Sequence, residues 1–199
     1  MTAISQDLEV KLYQVLGKKI TLKQFEQWLY TYDTLESDDP NLYFELISFD
    51  YSSKDNLKDF YHRFDCYIDY SKFEAEQMIG YLQSIIEKSD DCGCAIWMIY
   101  ELYCDGYDFF RRLGLKYGLC LINLPNLSSD ESRAVIDKLY PDIIEDAKLA
   151  LNWFKNKKII FKNGKNDWGE FKYDDLRTSL ERQQGDLLEA PLTDYQSQE

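Results

Sequence analysis

The chain has 199 residues, enough for one large domain or two small ones, and its 45% hydrophobic and 16% aromatic residues exclude disorder as a description of the whole. Its 36 Asp and Glu outnumber 23 Lys and Arg, which gives a formal net charge of −13 at pH 7. A surface of that sign repels nucleic acid and anionic lipid and attracts basic proteins, so we expect neither nucleic acid nor a membrane as a partner.

Apolar residues at helical spacing predict a series of helices in the first part of the chain. Leu8 to Leu16 forms the first helix, with Gly17 as its C-cap. Thr21 caps the second, whose apolar stripe runs from Leu22 to Leu29. Residues 42–49 are apolar enough for a buried helix, although so short a segment is also compatible with a strand.

The middle of the chain predicts longer helices. Ser71 and Glu74 have the spacing of a capping box and open a long amphipathic helix, which residues 90–93 interrupt. Residues 95–115 form the most apolar region, which we place at the centre of the fold. Pro141 opens a further helix with one apolar side.

A short β element is predicted near the C-terminus. Residues 158–162 are typical of a strand, Asn163 and Gly164 of a turn, and residues 170–173 alternate polar and apolar side chains. Together they predict a small β-hairpin.

These elements predict a mostly α fold. We expect a single-domain multi-helix bundle over residues 1–190, with the small β-hairpin around residues 158–173. Residues 191–199 are expected to form a flexible tail.

The remaining features favour a cytoplasmic protein. Charges break every apolar stretch before 18 residues, and Met1–Asp7 has neither the basic nor the apolar region of a signal peptide. The number of cysteines is odd and none forms a C-x-x-C, so we expect buried free thiols rather than disulfides or a zinc site. The cysteines are Cys66, Cys92, Cys94, Cys104 and Cys120.

Catalytic signals are few. His62 is the only histidine, and Cys66 lies four residues later on the same helical face, but the sequence supplies no orienting group for a catalytic dyad. Acidic pairs such as residues 38–39, 90–91 and 174–175 are sequential, so their side chains point in different directions. We therefore predict a protein that is not an enzyme and has no metal or cofactor. A small carboxylate-dependent hydrolase remains the catalytic alternative.

One basic cluster stands out from the acidic background. It could contact RNA with Phe161 or Trp168 stacking on bases, or it could place lysines at a helix C-terminus and along an edge strand. The net charge favours the second interpretation. The cluster consists of Lys155, Lys157, Lys158, Lys162 and Lys165.

Two acidic and aromatic segments are the candidate partner-binding residues. Tyrosine supplies contact area and a hydrogen bond, and carboxylates accept Arg or Lys of a partner. The alternative is loop chemistry in which the tyrosines pack on the core. The first segment comprises Tyr30, Tyr32, Asp33, Glu36, Asp38 and Asp39, and the second Asp65, Tyr67, Asp69 and Tyr70.

The pattern of the first 120 residues resembles a family of small bacterial proteins. The resemblance rests on the stretches Leu12–Leu16, Phe25–Tyr30, Tyr43–Tyr51, Ile99–Tyr107 and Leu113–Leu119. These stretches are similar to immunity proteins of contact-dependent growth inhibition and other polymorphic toxin systems. The resemblance implies a cytosolic antidote that binds a toxin domain, commonly a basic RNase or DNase, and occludes its active site. It assigns no role to any single residue.

The leading hypothesis is therefore an acidic immunity protein that binds and neutralises a basic protein partner, a cognate toxin nuclease. Its rivals are the small hydrolase, an adaptor that binds a partner through an apolar groove, and an RNA-binding protein acting through residues 155–165. The oligomeric state stays open.

Overall fold

The structure, a computed structural model, describes residues 4–32, 34–53, 56–122, 129–167 and 169–186. It is 69% helical and carries one small antiparallel hairpin near the C-terminus. The predicted mostly α fold with a C-terminal β-hairpin is therefore confirmed. None of the helices in the described ranges is long and apolar enough to cross a membrane.

The chain divides into two compact units, Met1–Phe73 and Glu74–Glu199. Each unit has a hydrophobic core of its own. A single domain over residues 1–190 stays a prediction. The predicted tail, residues 191–199, lies outside the described residues.

The first unit is built from short helices around an aromatic core. Phe25, Phe60 and Phe64 are almost fully buried there, and the rings of Phe25 and Phe60 meet edge to face with centroids 5.4 Å apart. Its helices are α1 (Gln6–Leu16), α2 (Leu22–Leu29), α3 (Thr34–Asp38), α4 (Pro40–Ile47), α5 (Asn56–Phe64), a 3-10 helix (Asp65–Tyr67) and the start of α6 (Tyr70–Glu87).

The predicted C-terminal end of α1 and the predicted N-cap of α2 are confirmed, whereas α1 begins at Gln6, two residues before the predicted start. Gly17 follows α1 and its N–H donates to the carbonyl oxygen of Tyr13 over 2.9 Å. The Thr21 hydroxyl accepts the N–H of Gln24 over 3.2 Å, while the Gln24 amide oxygen accepts the N–H of Thr21 over 2.8 Å. Residues 42–47 of the segment for which a strand was the alternative lie in helix α4, and residues 48–49 follow its end.

The capping box predicted at Ser71 is wrong. Helix α6 begins one residue before it, at Tyr70, and its cap is Asp69, whose Oδ1 accepts the N–H groups of Ser71 and Lys72, each over 3.1 Å. An ionised carboxylate accepts these bonds more strongly than a hydroxyl does, and its charge suits the positive end of the helix dipole. The observed cap therefore lies two residues closer to the N-terminus than the predicted one.

The second unit is centred on the apolar region predicted there. Ile96, Ile99, Phe109 and Phe110 are buried in its core. The region is not one helix, because Gly106 adopts φ +104 and turns the chain between two helical segments. Beyond α6, its elements are α7 (Cys92–Cys104), a 3-10 helix (Asp108–Phe110), α8 (Arg111–Tyr117), a 3-10 helix (Gly118–Leu121), α9 (Ser129–Lys138), α10 (Asp142–Lys155), β1 (Ile159–Lys165), β2 (Phe171–Asp175) and α11 (Ser179–Asp186).

The hairpin exists, but its predicted turn is wrong. Strands β1 and β2 pair antiparallel with Phe161 opposite Tyr173, and their register shifts between Phe161 and Lys165. Asn163 and Gly164 lie inside β1 at this irregularity, where Gly164 adopts φ +108. A glycine with positive φ is as typical of a bulge as of a turn. The strands are joined instead over residues 166–170, which a backbone hydrogen bond of 2.8 Å closes.

Candidate partner-binding surface

Helix α4 exposes a large aromatic side chain. Its residues Leu42 and Leu46 are four positions apart and buried in the core of the first unit. Phe44 lies midway between them, about 200° around the helix from each. Its side chain is consequently 67% exposed. Sequence reasoning missed Phe44 as a candidate, although the spacing of the two leucines contains the signal.

Carboxylates lie close to Phe44 along the chain. Glu36 and Asp38 belong to α3 and are exposed, whereas Glu45 in α4 is half-buried. None of these three carboxylates forms an ion pair with a residue in the described ranges. Asp39 caps α4, since its Oδ1 accepts the N–H of Leu42 over 3.0 Å. Three of the four predicted acidic residues of the first segment, Glu36, Asp38 and Asp39, therefore lie in α3 or at the cap of α4.

Tyr67 belongs to the second predicted segment and lies near Asp39 of the first. Its ring packs on the core of the first unit. Burial raises the pKa of its hydroxyl, and the nearby negative charges of Glu45 and Asp39 are among the effects that raise this pKa further. Tyr67 is therefore neutral at pH 7 and lies near carboxylates of α4 and its cap.

Tyr70 and Asp65 form a pair next to Tyr67 in the chain. The Tyr70 hydroxyl donates to Asp65 Oδ1 over 2.8 Å. Burial raises the pKa of Tyr70 to about 12, with further contributions from this hydrogen bond and the Asp65 charge. Asp65 itself is exposed, so it can accept a second donor. We use the name acidic face for Glu36, Asp38, Asp39, Phe44, Glu45, Asp65, Tyr67 and Tyr70.

Three of the other four predicted binding residues have contacts within the first unit. Tyr32 stacks on Trp28 with ring centroids 4.7 Å apart and donates to Ser5 Oγ over 2.9 Å. Asp69 is engaged as the cap of α6. Tyr30 is exposed at the end of α2 and donates to Glu26 over 3.4 Å. Asp33 lies outside the described residues. A binding role for these residues stays a prediction.

The cysteines are only partly as expected. All five are free thiols, as predicted, but only Cys92 is buried. The other four occupy exposed positions of α7 and of two 3-10 helices. Within the described ranges, no three His, Cys, Asp or Glu side chains gather in a way that could hold a metal ion.

The basic segment of the second unit does not present Phe161 for stacking on a base. The ring of Phe161 packs against those of Tyr107 and Tyr173, with centroids 5.6 and 6.0 Å away. Its other neighbours in this aromatic cluster are Phe109 and Phe154. Trp168, the other candidate for stacking, lies outside the described residues.

A carboxylate with a perturbed pKa lies in the second unit. Burial raises the pKa of Glu74, the Lys165 charge lowers it, and the Asp105 charge raises it, with a net upward shift. The Tyr107 hydroxyl accepts the N–H of Phe171 over 3.1 Å, and burial together with the Glu74 charge raises its pKa to about 12. These groups supply a polar cluster beside the hairpin. A raised carboxyl pKa is also found in structural environments, so it does not by itself indicate catalysis.

Comparison of the chain with models of protein families, with curated proteins and with solved structures gives no match. The resemblance to immunity proteins therefore stays a prediction. A function can accordingly be inferred only from the residues themselves.

Proposed function

We propose that this protein binds a basic protein partner through the acidic face and neutralises it, the partner being the nuclease domain of a toxin. The observation that carries the proposal is Phe44, a large apolar side chain that is 67% exposed and directly precedes Glu45 in the chain. Burying a phenylalanine side chain stabilises a complex by about 1.5–3 kcal/mol, so Phe44 is a suitable anchor for an interface.

The charges of this surface suit a basic partner. Glu36, Asp38 and Glu45 form no ion pair with described residues, so lysines and arginines of a partner can pair with them without breaking such a contact. Complementary charge accelerates association and does so most at low salt. A nuclease binds phosphates through cationic side chains, and carboxylates on an inhibitor can occupy the same positions.

The tyrosines complement the carboxylates. Because the pKa values of Tyr67 and Tyr70 are raised, both hydroxyls keep their proton at neutral pH. A neutral tyrosine at the edge of an interface contributes apolar area together with a hydrogen-bonding group. The surface thus combines an apolar anchor, hydrogen-bonding groups and acceptors for cationic side chains.

Affinity capture with matched variants tests this proposal. The tagged wild type, an acidic-face variant (Glu36→Lys, Asp38→Lys, Glu45→Lys) and a control are each incubated with lysate of the source organism at low salt. The control carries the same charge change on exposed residues of the second unit, Glu76→Lys, Glu87→Lys and Asp90→Lys. We expect the wild type and the control to retain a basic protein that rising salt releases, and the acidic-face variant to lose it.

Two further results decide the proposal. The released protein is expected to degrade RNA or DNA, and one equivalent of the wild type is expected to suppress that activity. Equal retention by the acidic-face variant would exclude this surface as the interface. A retained protein without nuclease activity would exclude the toxin nuclease as the partner.

A further inference from the structure

A cavity of about 370 Å³ lies within the first unit. It is partly open to solvent and is lined by the end of α1, the turn that leads into α2, and the start of α5. Its volume falls within the range of about 300–1,000 Å³ that is usual for small-molecule sites. The apolar side chains of its wall are Val15, Ile20, Leu22 and Leu57.

Among the described residues of the lining, Lys18 and Lys23 carry the cationic side chains, and none is an Asp or Glu. Both lysines are exposed, and neither forms an ion pair with a residue in the described ranges. The protein as a whole carries a net charge of −13. A cavity with apolar walls whose described lining carries only positive charge is therefore a local departure from the negative charge of the molecule as a whole.

The polar groups of the wall are engaged in holding its shape. The Tyr51 hydroxyl donates to the carbonyl oxygen of Leu46 over 2.9 Å, and the Asn56 side-chain amide donates to the carbonyl oxygen of Tyr51 over 2.6 Å. Thr21 is engaged in the cap of α2. Among the described residues of the lining, the two lysines are therefore the charged groups with which a ligand can pair.

The backbone fixes the position of Lys18. It adopts φ +55, and its N–H donates to the carbonyl oxygen of Val15 over 3.0 Å. The next residue, Lys19, donates its N–H to the carbonyl oxygen of Gln14 over 2.8 Å. A side chain whose backbone is held in this way approaches a ligand with little loss of backbone entropy on binding.

We propose that this cavity binds a small amphipathic anion, a carboxylate or similar monoanion carried on a short apolar body. The apolar walls take the body of the ligand, and Lys18 and Lys23 pair with its charged group. This site is separate from the acidic face and from the capture of a basic partner, since it selects a small anion. Its failure or success therefore leaves the proposed function unchanged.

Octanoate and octanol are the matched probes, because they share an apolar chain and differ in the charge of the head. Each is titrated into the isotope-labelled full chain, and backbone amide shifts are followed by NMR. We expect octanoate to shift the amide signals of Val15, Leu22 and Leu57 saturably. We expect octanol to bind more weakly, on the order of fivefold, because it lacks the ion pairs with two exposed lysines.

A pair of matched variants separates the contribution of Lys18 and Lys23 from the effect of removing two positive charges elsewhere in the protein. The double variant Lys18→Gln, Lys23→Gln is expected to bind octanoate about fivefold more weakly and octanol unchanged. The control is Lys155→Gln, Lys157→Gln in the second unit, which removes the same charge. Lys157 has the same backbone conformation as Lys18, with φ 54. The control is expected to bind both probes as the wild type does.

The proposal is overturned if octanoate produces no saturable shifts, if the shifts fall outside the cavity, or if octanol binds as tightly as octanoate. It is also overturned if the double variant at the cavity retains the octanoate affinity of the wild type. Circular dichroism checks that the variants are folded. Should the double variant fail that check, Lys23→Gln alone provides the measurement, since Lys23 is exposed on α2. We expect this variant to lose about twofold in octanoate affinity, and unchanged affinity would overturn the proposal.

Discussion

Gly118 packs so closely against Tyr100 that a Cβ atom at position 118 would lie 2.4 Å from the Cβ of Tyr100. The Tyr100 Cβ is attached directly to helix α7 and cannot rotate away. Gly118→Ala is therefore expected to lower the free energy of unfolding by about 1–3 kcal/mol through overpacking. Urea denaturation followed by circular dichroism measures this change.

Gly93→Ala is the control for that substitution. Its added Cβ would meet the terminal methyl group of Ile136 at 2.7 Å, at the far end of a flexible side chain that can rotate. We expect a smaller loss of stability than for Gly118→Ala. Equal losses of stability would show that the contact with Tyr100 does not account for the effect of Gly118→Ala.

Truncation to alanine is expected to affect the free energy of unfolding little at Phe44 and strongly at Phe60. Phe44 is 67% exposed, so Phe44→Ala should change the free energy of unfolding by less than about 0.5 kcal/mol. Phe60 is 1% exposed, so Phe60→Ala should cost about 3–5 kcal/mol. Only the first variant isolates partner binding, which we expect Phe44→Ala to weaken by roughly tenfold or more. Undiminished capture of the basic partner by Phe44→Ala would remove Phe44 from the interface.

Asp146 is the shared acceptor of a largely buried network between α8 and α10. It accepts a hydrogen bond from Arg112 Nε over 2.8 Å and one from the Tyr117 hydroxyl over 2.6 Å. Its side chain is 11% exposed. Asp146→Ala removes this acceptor and is expected to destabilise the fold by about 3 kcal/mol. Thermal and urea unfolding measure the loss.

An exposed pair on the same helix provides the comparison. Glu145 and Lys148 form an ion pair of 3.0 Å with side chains that are more than half exposed. Glu145→Ala is expected to cost less than about 0.5 kcal/mol, because solvent screens such a pair. If both substitutions cost the same, the burial of Asp146 does not determine its contribution.

Glu74 is expected to make stability depend on pH. Its folded pKa lies above its ordinary value of 4.5, chiefly through burial. Between these two values the folded state binds more protons than the unfolded state, so the free energy of unfolding falls as pH rises through that window. Glu74→Gln removes the charged form and should therefore raise the urea midpoint at pH 7, with little effect at a pH below 4.5.

Glu76→Gln is the control for this prediction. Glu76 lies on the same helix two residues later, and its side chain is exposed. We expect its substitution to leave the pH dependence close to that of the wild type. A Glu74→Gln variant that is less stable than the wild type at pH 7 would contradict the interpretation of Glu74 as a carboxyl group whose ionised form is disfavoured by burial.

Local chemistry in the sequence was sufficient to predict most helices and the hairpin. The spacing of Leu8, Leu12 and Leu16 marks one face of α1. Thr21 and Gln24, three residues apart, form the hydrogen bonds that cap the start of α2. Such signals act over one helical turn, so no knowledge of the rest of the fold is needed to interpret them. The net charge of −13 likewise follows from composition alone, and by itself it favours a basic partner.

Tertiary structure decided everything that depends on residues far apart in the chain. It placed Tyr67 near Glu45 and Asp39, and it brought Val15 and Leu57 together in the lining of one open cavity. It also chose between competing local signals, with Asp69 capping α6 in place of Ser71. The physical reason is that packing and long-range electrostatics depend on distances that the folded chain alone sets, whereas caps and helical periodicity depend on neighbours along the sequence.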